Sequence, residues 1–210
     1  MSAEQRTLAA AEHERRWQAF TARPLQNVHR ARLQACFDNL DLPAATLDAM
    51  LAQPLLQPLE ALQPPQGEDV PIATLDTAQS KRLARRCGVV FWAEALVREI
   101  RAPAVRALRE RFGDALLELA LAEQALACPL APGELAASLD ELDTAVERDG
   151  QACVNAWLAE QPRALAAWYR LKIDDPAAAA PITARIEQYG PAIVRRVVRS
   201  DSPIQGAPDE

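Results

Sequence analysis

Glycine is scarce in this sequence, and its scarcity excludes several kinds of site. Only 7 of the 210 residues are glycine, about 3% against a usual level of roughly 7%. Few glycines leave little room for phosphate-binding loops or tight β-hairpins. No Gly-x-Gly-x-x-Gly, Walker-type or Gly-x-Ser-x-Gly motif occurs. Proline is abundant instead, with 16 residues, and proline ends or kinks a helix wherever it falls inside one.

Long apolar runs and an excess of positive charge are also lacking. No stretch approaches the roughly 20 consecutive apolar residues of a membrane-spanning helix, so we expect no direct insertion into a membrane. The N-terminus does not have the basic and then apolar order of a secretory signal. The net charge is −6 and the isoelectric point is near 5.1, which is unsuited to coating nucleic acid. These features predict a cytosolic protein.

The four cysteines, Cys36, Cys87, Cys128 and Cys153, lie far apart and form no Cys-x-x-Cys pair. An even number allows two disulfides, but a chain of this length buries a core large enough to need none. We therefore expect reduced thiols that fill the core. Zinc sites need cysteine and histidine at short spacings, which the sequence does not have.

Hydrophobic residues recur at helical spacing almost everywhere, and no run alternates with period two. The pattern predicts an all-α fold, an irregular bundle of roughly seven to nine helices with a proline-rich connection. Asp76 followed by Gln79, and Ser138 followed by Glu141, are predicted helix starts, with residues 133–134 as an alternative to Ser138. The predicted helices are 8–20, 33–40, 47–51, 81–101, 103–128, 138–162, one from about 165 that ends near 174–176, and 181–199. Gly113 could divide the helix 103–128, Gly150 interrupts 138–162, and Pro191 kinks or splits 181–199.

Composition shifts along the chain predict its organisation. Residues 1–52 form an N-terminal helical segment, and residues 53–73 form a connection with five prolines that reads as surface. Residues 74–200 form a C-terminal helical bundle, and residues 201–210 form a disordered tail. We expect the whole to make one compact domain.

Residues that carry chemistry are few. His13 lies on a charged helix face and is interpreted as solvated surface, whereas His29 precedes a helix and is interpreted as a local hydrogen-bonding residue rather than a catalyst. Cys87 and Cys153 occupy apolar helix positions, where burial raises a thiol pKa. The acidic residues Asp140, Glu141, Asp143 and Glu147 are interpreted as a solvated helix face. The sequence thus predicts no catalytic, cofactor-binding or metal-ligating residue, and no enzyme.

Arginine clusters and Trp17 are the candidate binding residues. The clusters stand out against an acidic chain in which Lys81 and Lys172 are the only lysines. Internal ion pairs, an acidic protein partner and nucleic acid are all open interpretations of the arginines. Trp17 lies on a polar helix, and we expect its side chain to attach that helix either to the bundle or to another protein. The predicted partner-binding set is Trp17, Arg82, Arg85, Arg86, Arg106, Arg109, Arg195 and Arg196.

Four segments together resemble one known family. The first is Arg82–Ile100, which has a basic start and an apolar middle that contains Gly88. The second comprises residues 150–162 and 167–171, two Trp-containing helices on either side of a proline break. The third is Phe20-Thr-Ala-Arg-Pro24 followed by Val28, His29 and Leu33, and the fourth is the basic, apolar run Val194–Val198. In order and spacing they resemble the K-type (SctK, YscK-like) proteins of bacterial type III secretion systems. The resemblance extends from about Phe20 to Val198, with a divergent proline-rich connection.

The resemblance implies a non-enzymatic helical adaptor of the cytosolic sorting platform. Such an adaptor joins the SctQ-like pod protein to the cytoplasmic domain of the SctD-like inner-membrane ring protein, and lies in the cytoplasm beside the inner membrane. It implies no catalytic residue and no cofactor. Two alternatives come from other classes: a small helical hydrolase that uses a cysteine with His29, and a nucleic-acid-binding regulator that uses the arginine clusters.

Overall fold

The computed structural model describes residues 3–22, 28, 65, 67–129, 138–173 and 181–201. All regular elements in these ranges are helical, which confirms the predicted all-α class. No helix in them combines the length and apolarity needed to cross a membrane. The helices are α1 (Ala3–Ala22), α2 (Asp69–Ala73), α3 (Thr77–Phe91), α4 (Ala93–Arg98), α5 (Ala102–Phe112), α6 (Asp114–Ala122), a 3₁₀ turn (Gln124–Leu126), α7 (Leu139–Ala159), α8 (Arg163–Arg170) and α9 (Ala184–Asp201).

The described helices fall into two compact units. Unit 1 contains α1, α2, α8 and the short ends 77–81 of α3 and 158–159 of α7. Unit 2 contains α4, α5, α6, α9 and the remaining parts of α3 and α7. The predicted division at 53–73 stays a prediction, since residues 53–64 and 66 lie outside the described ranges. The helices expected at 33–40 and 47–51 and nearly all of the expected tail also lie outside them.

Unit 1 is packed around aromatic and aliphatic side chains from its short helices. Trp17 and Phe20 near the end of α1 are both buried, with ring centroids 5.4 Å apart. α1 contacts α2, in which Val70 and Ile72 are buried. Burying a side chain the size of Phe contributes about 1.5–3 kcal/mol. These two rings therefore explain why the polar helix α1 docks within the unit.

Two predicted helix starts are confirmed by side-chain caps. Gln79 N donates to Asp76 Oδ1 at 2.7 Å, and Asp76 N donates to Gln79 Oε1 at 2.9 Å. This reciprocal pair is a capping box at the start of α3. Glu141 N donates to Ser138 Oγ at 3.2 Å at the start of α7. The alternative start at residues 133–134 lies outside the described residues.

The helix predicted over 81–101 is two helices, because a long-range hydrogen bond interrupts its ladder. In a continuous helix Ala95 N would donate to Phe91 O. Cys128 N donates to Phe91 O instead, at 3.1 Å, and Ala95 N donates to Trp92 O at 3.0 Å. The chain turns at Trp92 and leaves α4 after Arg98. Helical spacing within residues 81–101 predicts that Val97 and Ile100 lie on the buried face of one helix. Ile100 is instead 86% exposed, so that prediction was wrong.

Gly113 divides the predicted helix 103–128, as its sequence position allowed. Its φ of +80° is a conformation that glycine adopts at low cost. Gly113 N donates to Arg109 O at 2.9 Å and so ends α5. α6 begins at the next residue, Asp114, whose carboxylate lies in the first turn, where the helix dipole favours negative charge.

The predicted interruption at Gly150 is wrong, since α7 runs without a break from Leu139 to Ala159. Gly150 is needed for a helix crossing rather than a helix end: a Cβ there would lie 2.0 Å from Ala84 O of α3. α9 likewise continues past Pro191 without a split. Its first turn is capped by Thr183, whose Oγ1 accepts a hydrogen bond from Ile186 N at 3.3 Å.

A hydrophobic core cluster of unit 2 lies between α3, α4, α5, α6 and α7. Its buried members are Val89, Ala93, Leu96, Leu108, Phe112, Ala120, Leu142 and Val146. On α4, α5 and α7 the two members lie three or four residues apart, which is the spacing of a buried helix face, and α3 and α6 contribute one member each. The surface of α4, α5 and α6 described below lies over this core.

Candidate functional site

Arg85 of α3, a predicted partner-binding residue, belongs to an internal charge network. Its Nη2 lies 2.5 Å from Asp143 Oδ1, and its Nη1 lies 3.3 Å from Glu147 Oε1, both on α7. Its guanidinium carbon lies 4.9 Å from the centroid of the Phe112 ring. Only 23% of the Arg85 side chain is exposed. The structure therefore favours the alternative that this arginine pairs internally.

The same network corrects one part of the predicted acidic face. Arg111 of α5 lies within ion-pair distance of both Asp140 and Asp143 of α7. The side chains of Asp140 and Glu147 are exposed, as predicted, but Asp143 is only 19% exposed. Asp143 lies between two arginines, and so it joins α3 and α5 to α7.

We expect Arg85→Ala to lower the free energy of unfolding by about 1–2 kcal/mol, because it removes a cation–π contact, a half-buried ion pair with Asp143 and a weaker ion pair with exposed Glu147. Arg82→Ala on the same helix is the matched control, since Arg82 is exposed, and a change within about 0.5 kcal/mol is expected. Urea denaturation followed by circular dichroism measures both. Equal effects of the two substitutions would contradict the internal role of Arg85.

Two further arginines of the predicted set also have internal partners. Arg109 Nε lies 3.4 Å from Asp114 Oδ1. Arg196 Nε lies 2.8 Å from Glu123 Oε2, and Ser200 Oγ donates to Glu123 Oε1 at 3.0 Å. Because Glu123 is 7% exposed, the pair with Arg196 satisfies a buried carboxylate and ties the end of α9 to the residue that follows α6.

The other predicted binding residues differ in how accessible they are. Arg86 and Arg195 are half-buried, and each takes part in an interaction within the chain. Trp17 is 7% exposed, which favours docking of α1 within its own unit over contact with another protein. Arg82 and Arg106 are exposed, and the residues that the structure describes offer neither an ion-pair partner. Arg109 and Arg196 are exposed as well, but each is paired with a carboxylate, so Arg82 and Arg106 are the exposed members of the predicted set without a described ion-pair partner.

A surface groove of about 190 Å³ lies between α4, α5 and α6. Small-molecule pockets are usually about 300–1,000 Å³, so this groove has room for one or two side chains. Leu121 is 59% exposed at its edge, and Ile100 follows the lining residue Glu99 directly. The apolar lining includes Leu96, Val97, Val105, Leu108, Leu117 and Leu121.

Four charged residues complete the lining of the groove, and three of them are paired. Arg109 pairs with Asp114, and Glu99 accepts hydrogen bonds from Arg101 Nη2 at 2.6 Å and from Arg101 Nε at 2.9 Å. The hydrogen bonds from the Arg101 side chain, and then from its backbone N–H, lower the pKa of Glu99 to about 2. Glu118 is exposed, and no described residue pairs with it. It is the free charge of this lining.

Unit 1 contains a buried cation that sequence analysis did not single out. Lys172, just after α8, is 2% exposed. Its Nζ donates to Ala73 O at 2.6 Å and to Leu75 O at 2.5 Å. It also lies 4.8 Å from the ring centroids of Phe20 and Tyr169. Burial lowers the pKa of Lys172 to about 7, against a partial opposing effect of the Asp76 carboxylate. Lys172 thus joins α1, the end of α2 and α8.

The residues of the hydrolase alternative do not form a described dyad. Cys87, Cys128 and Cys153 are buried and form no disulfide, as predicted for core-filling thiols. Burial, with a smaller effect of Asp149, raises the pKa of Cys153 to about 12, so a thiolate at this position is strongly disfavoured. Cys36 and His29 lie outside the described residues. Among the residues that are described, no group of three or more candidate ligands is placed to hold a metal ion.

The segments that carry the resemblance are mostly helical. Residues 82–98 belong to α3, the turn at Trp92 and α4, and residues 150–159 and 167–170 belong to α7 and α8. No family model, curated protein or solved structure matches the chain. Membership of the K-type family therefore stays a prediction that depends on the order and spacing of these segments.

Sequence analysis missed the groove and the buried lysine for different reasons. Helical spacing placed Ile100 in a buried face, although Pro103 already marked a new helix start close behind it. Leu121 and Glu118 lie within the apolar run 116–126, in which nothing marks a groove. Lys172 follows Trp168 and Tyr169 closely, and a lone lysine beside two large aromatic residues was the available signal.

Proposed function

We propose that this chain is a cytosolic adaptor of a type III secretion sorting platform, comparable in role to the SctK proteins. It joins a SctQ-like pod protein to the cytoplasmic domain of a SctD-like inner-membrane ring protein, and it lies beside the inner membrane through these partners. The family part of the proposal is supported by the ordered resemblance of segments between Phe20 and Val198.

The groove between α4, α5 and α6 is the observation that carries the proposed binding role. Leu121 at its edge and Ile100 beside it expose large apolar side chains to solvent. An apolar surface that continues into a groove over the core is typical of a site for another protein. Exposed Arg106 on the neighbouring α5 adds a free cation to the same unit.

The two alternative functions have less support. Nucleic-acid binding depends on free cations that replace counterions, whereas Arg85, Arg109 and Arg196 are paired with carboxylates. A cysteine-dependent hydrolase needs an accessible thiolate, whereas Cys87 and Cys153 are fully buried. The described contacts therefore favour protein binding over either alternative.

Co-purification of the tagged full-length chain from cells that assemble a type III secretion apparatus tests the proposal. We expect SctQ and SctD homologues to be recovered with the wild-type chain. The double variant Arg82→Glu, Arg106→Glu is expected to reduce recovery of one of them by about tenfold, because it reverses two free charges. Secretion by the same cells is the functional measurement.

A matched control keeps the interpretation specific. Arg163→Glu reverses another exposed arginine, on α8 and outside the predicted set, and is expected to leave recovery within about twofold. Circular dichroism of each variant shows whether helix content is retained. If the wild-type chain recovers neither homologue, the proposed adaptor function is wrong.

A further inference from the structure

We infer that the groove between α4, α5 and α6 is the seat of a basic, amphipathic helix of a partner protein, whose apolar side chain enters the groove while its lysine or arginine faces Glu118. This inference rests on the proposed adaptor function and deepens it, because it names the surface and the chemistry of one partner. The size, the lining and the charge of the groove each support it.

The size and lining select a side chain of another protein as the occupant. A volume of about 190 Å³ is below the roughly 300 Å³ at which small-molecule pockets begin. It matches one or two aliphatic side chains that act as anchors of an interface. Its floor includes Leu96, Leu108 and Ala120, which are members of the buried core of unit 2. An entering apolar side chain therefore extends that core.

The arrangement of α6 selects a helix as the shape of the partner segment. Asp114, Leu117, Glu118 and Leu121 all line the groove, and their spacing of three and four residues places them on one face of α6. A groove between helices accepts the apolar face of an amphipathic helix, whose anchors recur at the same spacing. Leu121, 59% exposed, is the side chain of α6 that such a helix would cover.

Charge complementarity selects a basic partner. Of the four charged residues in the lining, Arg109 and Asp114 neutralise each other and Glu99 is neutralised by Arg101. Glu118 is the remaining charge, and no described residue pairs with it. A partner that covers Leu121 also reduces the exposure of Glu118, three residues away on the same face. A lysine or arginine near the apolar anchor then supplies the missing partner of this carboxylate.

Photo-crosslinking in cells that assemble the apparatus tests the inference on the full-length chain. The probe is p-benzoylphenylalanine at position 121, and the matched control has the same probe at position 182, because Ile182 is also a partly exposed aliphatic residue, at 44%, and does not line the groove. We expect position 121 to crosslink a SctQ or SctD homologue, through a peptide with a lysine or arginine within about one helical turn of an apolar residue. We expect no such product from position 182.

A charge swap with the crosslinked partner gives the second measurement. Glu118→Lys is expected to weaken binding of the purified partner by at least about tenfold, and exchange of the partner's basic residue for glutamate is expected to restore it. Glu110→Lys is the matched control, because Glu110 is also exposed and does not line the groove. It is expected to change the affinity by less than about twofold.

The outcomes separate this inference from the proposed function. An acidic peptide or a second copy of this chain at position 121 overturns the inference. Equal effects of Glu118→Lys and Glu110→Lys on the affinity also overturn the inference. The inference is likewise overturned if position 121 gives no crosslink while SctQ and SctD homologues still co-purify. A crosslinked basic amphipathic helix from a protein outside the secretion apparatus, with neither homologue co-purified, supports the groove as a docking site and contradicts the proposed adaptor function.

Discussion

Gly150→Ala is expected to lower the free energy of unfolding by about 3 kcal/mol, because α3 and α7 cross where neither helix has room for a side chain. A Cβ atom at Gly150 would lie 2.0 Å from Ala84 O and 2.8 Å from Gly88 N. Both atoms belong to the backbone of α3, so no change of rotamer relieves the overlap. Alanine favours the helix over glycine by only about 0.5–1 kcal/mol. The overlap costs more than this, so the net change in the free energy of unfolding is a loss.

Gly88→Ala tests the same crossing from the opposite helix. A Cβ at Gly88 would lie 1.9 Å from Val146 O, so a loss of similar size is expected. Gly190→Ala is the matched control in α9, where the nearest atom would be Cys153 Cα at 3.0 Å. A small shift relieves that contact, and a loss of about 1 kcal/mol or less is expected.

Guanidinium denaturation followed by tryptophan fluorescence measures the three glycine variants. The expected order of stability is wild type, then Gly190→Ala, then the Gly88 and Gly150 variants. If Gly150→Ala leaves the denaturation midpoint unchanged or raises it, the inference that α3 and α7 cross too closely for a side chain is wrong.

The second large effect is a pH dependence of stability that originates at Lys172. Burial lowers its pKa in the folded protein to about 7, from an ordinary value of 10.5. Between these values the unfolded chain holds a proton on Lys172 that the folded chain has released. Because the unfolded state then binds more protons, the contribution of this residue to stability rises with pH, by about 1.4 kcal/mol per pH unit. Below pH 7 both states are protonated, and the contribution is constant.

Lys172→Met isolates this contribution, because methionine has an unbranched side chain only one atom shorter and lacks the titrating amine. Between pH 7 and pH 9 the wild type is expected to gain about 2–3 kcal/mol relative to the variant. Urea denaturation of both proteins at half-unit steps of pH measures the difference. Parallel curves would mean that the Lys172 amine stays protonated in the folded state, and would contradict the effect of burial.

Ionisation of Cys153 lowers the stability at higher pH, which is opposite to the effect of Lys172, and so it limits the pH range in which the Lys172 effect can be measured. Burial raises the pKa of its thiol to about 12 in the folded protein, from 9.0. Above pH 9 the unfolded chain therefore loses this proton first, and stability falls as pH rises. Measurements below pH 9 keep the two effects apart, and subtraction of the Lys172→Met curve removes the thiol contribution common to both proteins.

Much of the local structure was predictable because it depends on neighbouring residues. Helical spacing determined the all-α class, and Asp76 with Gln79 and Ser138 with Glu141 determined two helix starts. Gly113 determined the boundary between α5 and α6, since its positive φ is a property of glycine. Of the candidate binding residues, Arg82 and Arg106 are exposed, as a partner-binding role requires.

Contacts between distant segments decided the rest. Cys128 N donates a hydrogen bond to Phe91 O and so breaks a helix that spacing alone predicts to be continuous. Ala84 O lies too close to Gly150 to leave room for a Cβ, which explains why a glycine lies inside α7. The pairing of Arg85 with α7, the burial of Lys172 and the groove beside Leu121 likewise join residues far apart in sequence. The sequence by itself determined which segments are helical and where several of them begin, because caps and periodicity act within one or two turns. Only the tertiary structure decided which charges are paired and which apolar side chains stay exposed, because those depend on which helix lies opposite.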